Sequence, residues 1–486
     1  MAQKLKILIA SSEVYPFAKT GGLADIAGAL PKALKQLGHD VRVVMPKHKC
    51  VAQCPPGIRP MGLDVDVPIG GIRKKGFLYS SHLNKNIPIY FVGNETYYYR
   101  DPIYGTRHGD YPDNAERFIF FCRSVFETCK SIGFHPDIIH CNDWQTGLVP
   151  AYLKTVYAKD KWFKNTRTIF SVHNLGYQGN FPSYELKTAG LPFSIFTPGG
   201  VEFYNHFSFL KSALVFADLL TTVSPTYAKE IQTKAFGFKM DGILRQRSED
   251  LFGILNGVDY QEWNPESDPC IKKNYTPENR AGKLACKRNL ADLFSLKVDD
   301  DTPIFSMVTR LSSQKGIDLV IETLGDILSE ETAFVVLGSG DLMYEDYFLK
   351  ISKKFPDSVG VHIGFDETLA HQILAGTDFL LMPSQYEPCG LTQMYSLKYG
   401  AVPVVRSVGG LADSIKEFSH KTLRGTGFKF KKFAPGNLRR AVQKAVSVYR
   451  QKDQWQKLAL NDMNANFGWD RAAKKYCQLY RRVLNK

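Results

Sequence analysis
A two-domain α/β protein is what the sequence predicts, and three observations predict it. At 486 residues with 44% apolar side chains, the chain is globular and too long for one ordinary hydrophobic core. Short apolar strands alternate with amphipathic helices along most of its length, the pattern of parallel-sheet units. That alternation starts afresh near Pro303, after a polar, proline-bearing stretch from Trp263 to Asn279.

The first strand is Lys4 to Ser11. It runs into the loop Glu13 to Leu23, which contains Lys19 and Gly21-Gly22, and then into an amphipathic helix from Ala24 to Leu37. Strand, glycine-rich loop and helix open a Rossmann-like unit. The spacing is neither GxGxxG nor a P-loop, so NAD binding and P-loop hydrolysis lose support. Strands near Val41, Ile72 and Ile87 follow, with an aromatic stretch at Tyr97-Tyr98-Tyr99 and Tyr104. A helix is expected over Asn114 to Ile132. The strands Asp137 to His140, Arg167 to Val172 and Leu219 to Val223 end in Asp143, His173 and Ser224-Pro225. Polar residues thus follow the carboxyl ends of buried strands, the edge where open α/β sheets bind ligands. Taken singly, Lys19 also fits a surface lysine, His173 a packed loop histidine and Asp143 a helix N-cap.

The second series places Arg310 and Lys315 on one strand-to-helix loop, where two cations at a helix entry suit a diphosphate. Gly338 ends the next strand, and Phe365 follows the one after it. Phe379 to Pro383 reads as a buried strand that opens into Ser384 to Thr392. There free backbone amides meet a lone carboxylate, Glu387, a pairing that suits a ligand with sugar hydroxyls at one end and phosphate at the other. Glu387 as a solvated charge at a helix entry is the plainer alternative. Domain boundaries are expected at 262/263 and 460/461, with a last helix from Trp469 to Val483.

Composition excludes several classes. No apolar run is long enough to span a membrane. Met1 to Lys6 leads straight into a strand without a signal-peptide core. Nine irregularly spaced cysteines point to reduced thiols in a cytoplasm rather than a disulfide framework. Cys50 and Cys54 lack a second ligand pair for zinc. Asp64-Val65-Asp66 lies in an alternating strand, unlike a metal-binding Asp-x-Asp at a strand end. The net charge of +14 lies wholly in Lys421 to Lys486, with 17 Lys and Arg against 3 Asp and Glu. Those charges interleave with helix-period apolar residues, so solvated helix faces are expected rather than a nucleic-acid surface.

Six motifs in order resemble the bacterial glycogen synthase and plastid starch synthase family. They are Lys19 to Leu23, His140 to Trp144, Val172 to Leu175, Asn256 to Asp259, Arg310 to Gly316 and Glu387 to Gln393. The resemblance implies the GT-B architecture, two Rossmann-like domains facing each other across a deep cleft, with residues 461–486 packing back on the first. It implies transfer of glucose from ADP-glucose to the non-reducing end of an α-1,4-glucan with retention, without cofactor or metal. By matching position, His173, Glu387, Arg310 and Lys315 are the implied catalytic group. Lys19, Gly21, Gly22, Asp143, Asn256, Gly338, Phe365, Cys389, Gly390, Leu391 and Thr392 are implied on the donor, and Glu13 and Tyr104 on the acceptor side. Homo-oligomerisation is left open, and neither nucleic acid nor membrane is an expected partner. Two departures stand out. Tyr395 occupies the position where the broader retaining class often has a second Glu, and Gln145 the usual His of the Asp-Trp-His motif. Rival readings are a phosphorylase-like enzyme, which would need lysine-bound pyridoxal phosphate, and a non-catalytic nucleotide-sugar or glucan binder.

Overall fold
The computed structural model describes residues 4–53, 57–106 and 109–486; Cys54 and the first three residues, which bear on the zinc and signal-peptide expectations, lie outside these. One compact unit ends at Gly257 and takes in Trp469–Lys486; the other is Val258–Gly468.

In the first unit, strands β1 (Lys6–Ala10), β2 (Asp40–Pro46), β3 (Arg59–Ile69), β4 (Ile72–Leu83), β5 (Ile87–Gly93), β6 (Ile138–Asn142), β7 (Arg167–Val172), β8 (Leu219–Thr222) and β9 (Leu251–Gly253) form one sheet. Its order is β9-β8-β7-β6-β1-β2-β5-β4-β3. All pairs are parallel except β5–β4 and β4–β3. β6 and β7 are buried at nearly every position, as strands covered by helices on both faces must be. The Asp64-Val65-Asp66 run sits in β3 on the antiparallel edge, where Asp66 pairs with Arg73 at 2.8 Å.

The strand order changes direction between β1 and β6, and helix α1 (Gly22–Gln36) leaves the carboxyl end of β1 at that point. Helix α2 (Asn114–Ser131) is buried along almost its whole length. The second unit holds β10 (Ile304–Val308), β11 (Ala333–Gly338), β12 (Val359–Ile363), β13 (Phe379–Met382), β14 (Val402–Arg406) and β15 (Phe428–Phe430). They lie in the order β12-β11-β10-β13-β14-β15, all parallel. This is the doubly wound Rossmann order. Helices α3 (Ile317–Leu328), α4 (Glu367–Gly376), α5 (Thr392–Lys398) and α6 (Gly409–Ser414) each follow a strand. Helices α7 (Pro435–Arg450) and α8 (Lys452–Met463) close the unit, burying Leu438, Val442, Val446 and Leu458 in its core.

The boundary expected at 460/461 falls inside α8, whose Leu458, Ala459 and Met463 are buried. A helix with a buried face cannot serve as a linker, so the chain leaves this unit only at Gly468. At the other crossing, Val258–Glu262 belongs with the second unit, because the adjoining Trp263 ring stacks on His371 at 3.8 Å.

The last helix, α9 (Trp469–Leu484), buries Ala472, Ala473, Tyr476, Tyr480 and Val483 in the first unit. Tyr480 Oη lies 2.8 Å from His140 Nδ1, and His140 Nε2 lies 2.6 Å from Ser171 Oγ. Arg471, Lys474, Lys475, Arg481 and Arg482 occupy its exposed face, the amphipathic arrangement that the spacing predicts. No helix of the described residues is long and apolar enough to cross a membrane. The eight described cysteines are free thiols.

Candidate active site
At the carboxyl end of β1, Glu13 is buried with only 3% of its surface exposed. Its Oε1 accepts hydrogen bonds from Thr20 Oγ1 at 2.7 Å and Tyr104 Oη at 2.6 Å. The amides of Thr20 and Gly21 also donate to this carboxylate. Burial raises the Glu13 pKa, and these hydrogen bonds oppose the rise. The Gly21 amide is therefore turned toward a carboxylate on its own loop. Lys19 Nζ lies 3.0 Å from Asp25 in the first turn of α1.

Asp143 follows β6 with a φ of 55°, a strained conformation for a residue with a side chain. It stands at an N-cap position, yet its side chain makes no cap hydrogen bond. Instead its carboxylate receives the His173 amide at 2.7 Å, and the Asn174 amide as well. Burial pushes its pKa from the ordinary 3.8 to about 7, and Glu13 adds to the rise.

A group whose folded pKa is raised gives stability that is complete below its unfolded pKa and is lost as pH climbs through the folded one. Wild-type stability should therefore fall between about pH 4 and pH 7 through this residue. Asp143→Asn cannot ionise, so its Tm relative to wild type should rise across that window. A Tm difference that does not change with pH would refute the assignment.

His173 is held by the same contacts. Asn142 Nδ2 donates to Ala10 O at 3.1 Å. Asn142 Oδ1 therefore accepts, and His173 Nε2–H donates to it at 2.9 Å. That fixes the tautomer with the lone pair on Nδ1, which is buried and has no partner among the described residues. Burial lowers the imidazole pKa to about 3, so the ring is neutral near pH 7. Asn256, beyond β9, is 2% exposed, and both its side-chain polar atoms lack a partner among the described residues. Buried polar atoms of this kind call for an explanation, and a ligand is one. Gln145 Oε1 is likewise buried and without a partner among the described residues.

In the second unit the loop after β10 carries Arg310, which is exposed, and the one-turn helix Ser313–Lys315. Lys315 Nζ sits 2.6 Å from Glu387 Oε2. Ser384 Oγ donates to the same oxygen at 3.0 Å. Gly316, at φ 73°, makes this approach possible, since a Cβ there would lie 2.2 Å from Pro383 O. Gly409, at φ 42°, does the same behind the loop, where a Cβ would lie 1.9 Å from Glu387 O. Gly316→Ala must relax both the left-handed backbone and the clash, at about 1–2 kcal/mol for the backbone alone. It should lower Tm and move Lys315 off Glu387; a variant with wild-type Tm and activity would contradict this.

Gln393 Nε2 donates to the carbonyls of Cys389 and Gly390, each at 3.0 Å, which fixes the turn. Leu391 caps α5 and Thr392 opens it, where the helix supplies no acceptors for their amides. Gly364 N donates to Gly338 O at 3.1 Å, which sets Phe365 beside the end of β11. Phe365 is 75% exposed.

Within the first unit the fold thus gathers Glu13, Tyr104, Asp143 and His173. Within the second it gathers Lys315, Glu387 and the 389–392 turn, with Gly338 and Phe365 along the same sheet edge. Asn142, Ser384 and Gln393 escaped the sequence reading as site residues, although each lies inside or beside a motif it picked out. Tyr395 packs 4.1 Å from the Trp263 ring, whose other face meets His371. His371 Nδ1 lies 2.7 Å from Asp268, which Cys270 also neighbours. Asp268 accepts from His371 and from Tyr399 Oη at 2.5 Å, so this cluster is closed by its own hydrogen bonds.

Two α/β units with cations, a carboxylate and a helix entry at the carboxyl edge of a doubly wound sheet define a glycosyltransferase of the GT-B class. The starch synthase catalytic domain family matches residues 6–246, and the group 1 glycosyl transferases match residues 290–461. A glycogen synthase of Syntrophotalea carbinolica is 46% identical over 480 residues, covering 99% of each chain. One of Thermotoga maritima is 45% identical over 488 residues, again 99% of each. The catalytic domain of starch synthase IV from Arabidopsis thaliana, bound to ADP and acarbose, superposes with a TM-score of 0.94 at 31% identity over all of both chains. Sucrose-phosphate synthase of Thermosynechococcus elongatus shares the fold at a TM-score of 0.62 and 16% identity, over 99% of this chain and 100% of that one. The chain belongs to the glycogen synthase and starch synthase family. These relatives favour neither the phosphorylase-like reading nor the inactive binder.

Proposed function
We propose that this enzyme transfers glucose from ADP-glucose to the non-reducing end of an α-1,4-glucan, with retention of configuration and without a metal. The observation that carries the proposal is the Lys315–Glu387 contact of 2.6 Å beside the first turn of α5, whose Leu391 and Thr392 amides have no acceptor within their own helix. A cation next to a carboxylate matches a ligand whose diphosphate joins a sugar. On this reading Lys315 turns to the diphosphate together with Arg310. The two take up the charge that grows on the leaving ADP, an interaction stronger in the transition state than in the bound donor. Glu387, released from Lys315, accepts from glucose hydroxyls. The His173 Nδ1 lone pair accepts another sugar hydroxyl, and Asp143 holds the His173 loop by its backbone. Lys19 faces the donor phosphates from its own loop. Glu13 and Tyr104 serve the acceptor. No protein nucleophile is assigned.

Support comes from the family membership and from the ADP and acarbose bound to the Arabidopsis relative. The test is glucose incorporation into glycogen from ADP-glucose and UDP-glucose in parallel, with EDTA present. Incorporation from ADP-glucose is expected; none from either donor by folded protein would reject the proposal. Phe365, exposed beside Gly338, is assigned to the adenine face. Phe365→Ala should mainly raise the donor KM, because it removes binding common to ground and transition states. An unchanged KM would remove Phe365 from the site.

A further inference from the structure
Arg117 is the largest fully buried side chain among the described residues, with none of its surface exposed, and no carboxylate among them lies within ion-pair distance of it, the neighbouring Asp113 being paired with Arg100 instead. A buried charge without a counter-ion persists only where hydrogen bonds replace its water. Here three do so. Nε donates to Tyr97 O at 2.7 Å, one terminal nitrogen to Ile103 O at 2.9 Å and the other to Asn114 Oδ1 at 2.6 Å. The first two acceptors lie at either end of the segment 97–104. Asn114, fixed by Arg117, donates its Nδ2 to Tyr104 O at 2.8 Å. Tyr104 Oη then reaches Glu13 Oε1 at 2.6 Å and Ser12 Oγ at 2.7 Å. One planar cation joins the end of the one-turn helix Glu95–Tyr98 to the irregular residues that follow it, and that segment ends with Tyr104 on the Glu13 carboxylate.

We propose that Arg117 is a positioning residue for the acceptor side: its guanidinium, through Asn114, sets the 97–104 segment so that Tyr104 keeps its hydroxyl on Glu13. This rests on the acceptor-side reading of Glu13 and Tyr104. Lysine at 117 keeps the charge but loses the fixed fork of donors, so it cannot hold three acceptors in their present directions.

The test measures Arg117→Lys, Tyr104→Phe and the double variant, with glucan and donor KM determined separately. Backbone hydrogen exchange of residues 97–104 is followed by mass spectrometry in the full-length protein. Arg117→Lys is expected to speed exchange in that segment. It should raise the glucan KM about tenfold, the effect of one well-placed hydrogen bond, and leave the donor KM within about twofold. The double variant should be no worse than the poorer single, because both changes act on one contact. Unchanged exchange, or effects that add in full, would overturn the role of Arg117. An unchanged glucan KM in Tyr104→Phe would instead overturn the acceptor-side reading itself. Should Arg117→Lys fail to fold, Asn114→Ala cuts the same link and takes its place in every comparison.

Discussion
Lys315→Ala is expected to lower turnover by on the order of 100-fold, the loss typical of one group that stabilises developing negative charge. The Lys315 side chain is 15% exposed and sits on a loop fixed by Gly316, so its position is set by the backbone rather than by solvent. A loss of stability is also expected. Truncation leaves Glu387, 6% exposed at its side chain, without its cation, and breaking a buried pair from one side costs about 3–5 kcal/mol. Turnover must therefore be read at a temperature where the variant is folded, with the donor saturating. If Lys315 acts in the transition state, the deficit persists at saturation. If it serves only as a salt-bridge partner, Tm falls and turnover per folded molecule does not.

Glu387→Gln is the complementary change, and about 100-fold in kcat/KM for the donor is expected from it. The amide retains the shape and can still accept from Ser384, but it no longer carries the charge that holds Lys315 before the donor binds and the sugar hydroxyls afterwards. Its carboxylate already holds Ser384 Oγ at 3.0 Å and Lys315 Nζ at 2.6 Å, so the side chain is preorganised for a pair of donors. Combining both substitutions tests the coupling directly. Residues acting on one bound donor lose less together than the sum of their separate losses. Full additivity would separate their roles and undo the shared site.

Much of the architecture was legible in the primary structure. The buried runs at Ile138 and Ile304, the glycine-marked loops after them and the restart near Pro303 each follow from local periodicity and turn chemistry. Boundaries were less legible. The polar stretch Trp263–Asn279 resembles a linker, but Trp263 is a core residue stacked on His371 and Tyr395. Asp143 reads as a helix cap by its position; its φ and its bond to the His173 amide come from the fold. Arg117 is indistinguishable in sequence from the exposed basic residues of any amphipathic helix.

By itself, then, the sequence determined the class of protein. Apolar period, turn residues and ordered motifs specify two parallel-sheet units and the residue types on their carboxyl edges. The basic surplus after Lys421 also follows from it, as the exposed faces of amphipathic helices. Only the tertiary structure decided which of those residues meet. Lys315 and Glu387 are 72 positions apart, Glu13 and Tyr104 are 91, and Asp143 and the His173 amide are 30. Such contacts are set by strand order and register, and by glycines that let two loops approach within the reach of a hydrogen bond. Local propensity carries no term for them, because their energy exists only once the sheet has assembled.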